Sequence, residues 1–215
     1  MPPLRAPSLA AIRRVLATPR PTADPRERFA ANVENASRMS AELRMLFDRP
    51  ARPASVLLPL LERLGGLIVL FIERAAHLKD HAGQISFPGG RLAHPGETAV
   101  EAALREAREE IGLEPRDVEV LGALDDLLTG TGFLIKPVVG YVAGGEFVAR
   151  PDPTEVASVF EVPLDFLCEP ATITTSYRDR LGTRFRTYEV LHGGYRIWGA
   201  TAAILVNFRD VVSNG

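Results

Sequence analysis

The stretch Gly89–Leu113, GGRLAHPGETAVEAALREAREEIGL, decides how the rest of the chain is read. At about 100° per residue, Val100, Ala103, Leu104, Ala107 and Ile111 share one face, the apolar stripe that lays a helix on a sheet. Gly112 supplies its C-terminal stop. On the same wheel Glu106, Glu109 and Glu110 converge. A solvated charged face is one reading, since Arg105 stands four residues from both Glu101 and Glu109. Against it, acids near a helix C-terminus oppose the macrodipole by about 0.3–1 kcal/mol each, and like charges in adjacent turns add a few tenths. A hard divalent cation removes the conflict, because Mg²⁺ prefers oxygen ligands and bridges carboxylates to phosphates. The pattern therefore predicts a metal-binding face. The preceding Pro88-Gly89-Gly90 predicts a sharp turn at which backbone approaches a ligand.

Outward from this helix the pattern is that of a mixed sheet covered by helices. ASVLLP from Ala54 and LIVLFIE from Leu67, separated by the turn signal at Gly65-Gly66, read as strands, as does ISF before Pro88. Later runs, VEVLGAL, IKPVVGYV, ASVFEVPL, ATITT, FRTYEVL and YRIWG, are punctuated by Gly, Pro and Asp, and ATAAILVNF reads as a closing helix. The class is α/β.

The chain has 215 residues, 46% hydrophobic and 24% charged, the balance of a globular protein with one main core. A net charge of −2 offers no general attraction to nucleic acid or anionic lipid. Cys168 is the single cysteine, which excludes an intramolecular disulfide and reads as a small core residue. His77, His81, His94 and His192 lack the spacing of a zinc site, and no GxxxxGK[ST] marks a P-loop. Arg13, Arg14 and several prolines interrupt the N-terminus, which lacks the apolar core of a signal peptide. The longest uncharged apolar run, Leu64 to Ile72, is far shorter than the roughly 20 residues that span a bilayer, so the cytoplasm is the expected compartment and no membrane partner is expected.

Residues 1–52 carry a local charge balance of +5, against −7 for the remainder, and read as a helical extension to a domain at 53–212. Apolar spacing predicts an amphipathic helix from Phe29 to Phe47. Acids are interleaved with the arginines and no aromatic stacking pattern accompanies them, so the extension is not read as a nucleic-acid arm. It is open to two roles, dimerisation of the chain or cover over an active site.

These residues resemble the Nudix hydrolases, whose box is G, five residues, E, seven residues, then REUxEExGU with U aliphatic. Glu97, seven residues and REAREEIGL from Arg105 to Leu113 match its second half, with Ala107 as a small U; Gly90 precedes Glu97 by one residue more than the box has. Upstream, LFIERAAHLKDHAGQISFPGG resembles the coenzyme A pyrophosphatase branch, with Arg74, Lys79, Gly83 and Phe87–Gly90 in the signature's places; Lys79 stands for its usual Arg and Ile72 for its usual Thr. PTEVASVFEVPL and YRIWGATAAIL resemble two further blocks, so the similarity covers about residues 54 to 210.

The resemblance implies a Nudix fold, a mixed sheet sandwiched between helices. It also implies hydrolysis of a nucleoside diphosphate derivative with one or more Mg²⁺ or Mn²⁺ ions; for this branch, coenzyme A would give 3′,5′-ADP and 4′-phosphopantetheine. Another nucleoside diphosphate derivative, or a non-catalytic nucleotide-binding module, are the competing readings. Glu106 and Glu110 are the first choices as metal ligands, with Glu109 sharing the cluster and Arg105 orienting a glutamate. Glu155 is the candidate general base. Arg74, Lys79 and Arg91 are candidates to meet phosphates, and Gly90 to bring backbone close to substrate.

Overall fold

The structure, a computed structural model, describes residues 6–19, 22, 24–34, 39–41, 45 and 49–213. Three apolar runs form the centre of an eight-stranded mixed sheet: β1 (Arg52–Arg63), β2 (Gly66–Arg74) and β7 (Phe133–Val142). β1 pairs antiparallel with β2, Leu60 opposite Val69, and parallel with β7, Leu58 opposite Val139. β3 (Ile85–Ser86) and β8 (Val156–Pro163) add to β2, β4 (Gly89–Arg91) to β1, and β5 (Glu119–Ala123) and β6 (Leu127–Leu128) to β7. β1 changes neighbours midway: Ala54–Val56 pair with β4 and Leu60–Arg63 with β2. Pro59, which has no N–H to give a ladder, falls at that switch.

Alternation along the strands builds two cores. Leu57, Leu61, Ile68, Leu70, Ile72, Val138 and Val142 face helix α3 (Ala99–Ile111), meeting Ala103, Ala107 and Ile111, with Val100 and Leu104 at the margin. This is the apolar stripe read from the sequence. Thr98 and Glu101 close a capping box at the start of α3, and Gly112, at φ 70°, ends it in the left-handed conformation. The intervening residues Leu58, Leu60, Val69, Phe71, Val139 and Tyr141 face the other way. There they meet α1 (Leu9–Ala17), α4 (Leu164–Cys168) and α5 (Gly199–Ser213) through Ile12, Leu16, Leu167, Leu205 and Phe208. Each such side chain contributes about 1.5–3 kcal/mol on burial.

FRTYEVL and YRIWG do not join the main sheet. They belong to a separate antiparallel sheet of β9 (Ile173–Arg180), β10 (Thr183–His192) and β11 (Tyr195–Trp198), in the order β11-β10-β9. Tyr195 stacks on Phe160 of β8 with ring centroids 3.7 Å apart, and the Thr201 hydroxyl donates to the Ile85 carbonyl at 3.0 Å, joining this sheet and α5 to the first.

The helix expected over 29–47 is found only in part: of the described residues there, 29, 30, 41 and 45 are helical, and 31–34 are not. A short helix, α2 (Pro25–Ala30), begins earlier at an Asp24 cap, and the chain then turns and bridges Val33 to Phe185. The Glu34 amide donates to the Arg184 carbonyl and the Arg186 amide to the Asn32 carbonyl, so this segment continues the part of β10 not paired with β11. Backbone hydrogen bonding to that sheet edge outweighs the helical spacing. Much of the rest of 29–47, residues 35–38, 42–44 and 46–47, lies outside the described residues. α1, which the sequence did not single out, has Ile12 fully buried in the main core, and Arg13 pairs with Glu119.

Candidate active site

The acidic face of α3 lies against the point where β1 exchanges β4 for β2. Glu110 is 1% exposed. Its carboxylate accepts the Gly89 amide at 2.9 Å and the Arg74 guanidinium at 3.3 Å. Burial pushes its carboxyl up to about 8, with Glu106 and Glu155 adding in the same direction against the Gly89 amide and Arg74. Burial, then the charges of Glu109 and Glu155, also raise the Glu106 carboxyl, while Arg105 opposes them. Glu106, Glu110 and Glu155 thus share one field, although Glu155 comes from the turn before β8, where its carbonyl accepts the Ala75 amide at 2.8 Å. Glu109 stands nearer the rim, its side chain 49% exposed.

Arg105 organises the acids. Its Nε and Nη2 donate to Glu97, its Nη1 to Glu106 at 2.8 Å and Glu109 at 3.1 Å, and its Nη2 also to the Arg91 carbonyl. Arg105 first, and then the Ala93 amide, hold the Glu97 carboxyl below its ordinary value. Glu97 therefore fixes Arg105, and the extra residue between Gly90 and Glu97 is absorbed in the loop before α3. The two glycines do not make the expected sharp turn: they are strand residues of β4, opposite Val56 and Ser55, without positive φ. Their need is for space. A Cβ on Gly90 would lie 2.3 Å from Glu106 Oε1, and one on Gly89 would lie 2.5 Å from the Ser55 carbonyl oxygen.

The cationic candidates separate. Arg74 is committed to Glu110, with a further buried Nε that has no hydrogen-bond partner. Lys79 is exposed in the loop after β2 and Arg91 is exposed on β4. That loop is tied to the turn carrying Glu155 by His77, whose Nε2 lies 3.0 Å from the Thr154 carbonyl, while His81 Nδ1 lies 2.8 Å from Gln84 Oε1. Beside Glu106 opens a cleft of about 500 Å³ lined by Arg52, Pro53, Arg91, Leu92, Ala93 and Arg105. Arg52, at the end of the expected extension, is the first residue of β1. Arg74–Glu110 and Arg52 are features that the sequence did not disclose, whereas Arg105 was expected to orient a glutamate and pairs with Glu97, Glu106 and Glu109. The alternation ending LFIER was a signal for the first, since it puts Arg74 at the end of a strand pointing to the α3 side.

Among the described residues, no three His, Cys, Asp or Glu side chains stand assembled to hold a metal ion. Arg105 holds Glu106 and Glu109, and Arg74 with the Gly89 amide holds Glu110. The donor chemistry nevertheless fits a hard divalent cation: oxygen donors only, one of them a buried carboxylate whose charge is disfavoured where it stands. No helix of the described residues is long and apolar enough to cross a membrane. Cys168 is buried, as expected, and burial lifts its thiol to about 11.

Comparison with known proteins agrees with this geometry. The NUDIX domain model matches residues 51–180. Nudix hydrolase 3 of Caenorhabditis elegans is 34% identical over 85% of this chain and 82% of its own length. The uncharacterised Nudix hydrolase NudL of Pectobacterium atrosepticum is 39% identical over 72% of this chain and 79% of its own. The crystal structure of the Nudix hydrolase RenU from M. smegmatis superposes with a TM-score of 0.52 over 76% of this chain and 87% of that one, at 22% identity, a likeness of fold. With the helix, the acidic face and the mixed sheet in their places, the chain belongs to the Nudix hydrolase family.

Proposed function

We propose that the chain hydrolyses the diphosphate bond of coenzyme A or its derivatives, giving 3′,5′-ADP and 4′-phosphopantetheine or its acyl form, with Mg²⁺ or Mn²⁺. The observation that carries the metal-dependent reading is the buried Glu110 carboxylate, sharing its field with Glu106 and Glu155. That arrangement is unfavourable for ionised acids alone and favourable around a cation. Glu106, Glu109 and Glu110 would hold the ion, which when bound offsets diphosphate charge and acidifies water. Arg105 acts as a positioning residue, keeping Glu106 directed toward β4 through Glu97. Glu155, on a separate turn, is the candidate general base, supported by the field it shares with Glu106 and Glu110. Lys79 and Arg91 are the exposed cations available to phosphates. Support for coenzyme A within the family is the FPGG block and the residues before it, from Arg74 to Gly90.

The test is a substrate panel of coenzyme A, acyl-coenzyme A, ADP-ribose and dinucleotide polyphosphates with Mg²⁺ or Mn²⁺, with products identified by mass spectrometry. The proposal expects coenzyme A, free or acylated, to show the highest kcat/KM, yielding 3′,5′-ADP. Preference for ADP-ribose or a dinucleotide would replace the substrate; no turnover of any would favour a binding module.

A further inference from the structure

We infer that Arg52 and Arg91 form a phosphomonoester subsite, reading a phosphate that the substrate carries outside its diphosphate bridge. The inference rests on the reading of this site as one for a nucleoside diphosphate derivative. The cleft of about 500 Å³ contains three arginines and one carboxylate, that of Glu106. Arg105 is already bound to Glu97, Glu106 and Glu109. The side chains of Arg52 and Arg91 have no ion-pair partner among the described residues, so the cleft keeps two guanidinium charges that no protein acid offsets. They come from adjacent strands of one sheet: β1 supplies Arg52, and β4, paired to it at Ala54 opposite Arg91, supplies the other.

Arg52 is held ready to bind. Its guanidinium lies 3.9 Å from the Phe133 ring centroid, and Nη2 donates to the Thr131 carbonyl at 2.9 Å. Stacking and one hydrogen bond fix the plane while most of its five N–H donors stay available. A planar fork of this kind matches a phosphate dianion, and less ordering is lost when it is already oriented. With Glu106 proposed above as a ligand of the ion that meets the diphosphate, the cations on the other walls of the cleft are left for a second anion. On the coenzyme A reading proposed above, that second anion is the phosphate on the adenosine ribose.

Calorimetric titration of the full chain with 3′,5′-ADP, 5′-AMP and inorganic phosphate tests this, on wild type, Arg52→Gln/Arg91→Gln and, as a control outside the cleft, Arg116→Ala. Wild type and the control are expected to bind 3′,5′-ADP at least tenfold more tightly than 5′-AMP, and the double variant to bind the two within about twofold. Equal affinities in wild type, or a preference that survives in the double variant, would overturn the subsite. Inorganic phosphate binding as tightly as 3′,5′-ADP would also overturn it, since the cleft would then be a free-anion site. Arg52 and Arg91 are exposed, and unchanged melting of the double variant checks that it folds. Binding needs no turnover, so the two readings fail separately. Loss of the preference in the double variant without coenzyme A hydrolysis keeps the subsite and removes the substrate assignment; hydrolysis with the preference intact does the reverse.

Discussion

Alanine at Gly90 and at Gly89 should have different effects, the first on activity and the second on stability, because the two missing Cβ atoms face different obstacles. At Gly90 the Cβ would stand 2.3 Å from Glu106 Oε1, 2.5 Å from its Cδ and 2.9 Å from Oε2. All belong to the end of a flexible side chain, which can rotate away at small cost to the fold. A displacement of about 1 Å at a reacting group can cost on the order of 10²-fold in rate. Gly90→Ala should therefore lower kcat/KM about 10²-fold and weaken divalent-ion binding, while changing stability by less than about 1 kcal/mol. At Gly89 the Cβ would meet the Ser55 carbonyl oxygen at 2.5 Å and Val56 Cα at 2.7 Å, which are backbone atoms of the central strand. Overpacking against backbone costs about 1–3 kcal/mol or more, and for a chain of this size lowers Tm by roughly 2–12 °C. Calorimetric melting of both variants, with kcat/KM at fixed Mg²⁺, separates the outcomes. Wild-type turnover in Gly90→Ala, or a loss of Tm matching that of Gly89→Ala, would refute the claim that Gly90 exists to admit the Glu106 carboxylate.

Three further outcomes follow from the same geometry. Because the Glu110 carboxyl is raised to about 8, the folded protein binds a proton there that the unfolded chain has lost above its ordinary value of 4.5. Metal-free stability should accordingly fall between pH 6 and 8, by at most about 1.4 kcal/mol per pH unit, and Glu110→Gln should flatten this slope in urea unfolding; an unchanged slope would remove Glu110 as its source. Arg105→Lys, which loses the planar fork that ties Glu97 to Glu106, should cost about 2 kcal/mol and lower kcat more than it raises KM, whereas a change in KM alone would point to substrate contact. Ile12→Ala should destabilise the chain by about 2–5 kcal/mol in the same unfolding assay, since Ile12 is fully buried in the main core; a loss below about 1 kcal/mol would show that α1 is a detachable extension.

What the sequence disclosed was what local spacing encodes. The α3 stripe and its Gly112 stop are found where local spacing put them, and of the three glutamates expected to converge, Glu106 and Glu110 share one field while Glu109 stands at the rim against Arg105. Glu155 entered through family resemblance, because no local pattern links a turn at 153–155 to a helix at 99–111. What stayed hidden depends on distant pairing. Arg74 meets Glu110 across 36 positions, and Asn32–Glu34 leave helical spacing to pair with β10 at separations of 150 to 154, the Arg186 side chain also reaching Asn32. The glycines at 89 and 90 were read through conformational freedom, the commoner reason for glycine, whereas the folded chain needs them for room.

The account is tested most directly by measuring Mg²⁺-dependent release of 3′,5′-ADP from coenzyme A by wild type and Glu110→Gln at pH 8.5, with and without a chelator. The account predicts turnover in wild type that the chelator abolishes and that Glu110→Gln lowers by at least about 10²-fold with its fold intact. Full metal-dependent turnover in Glu110→Gln would contradict it.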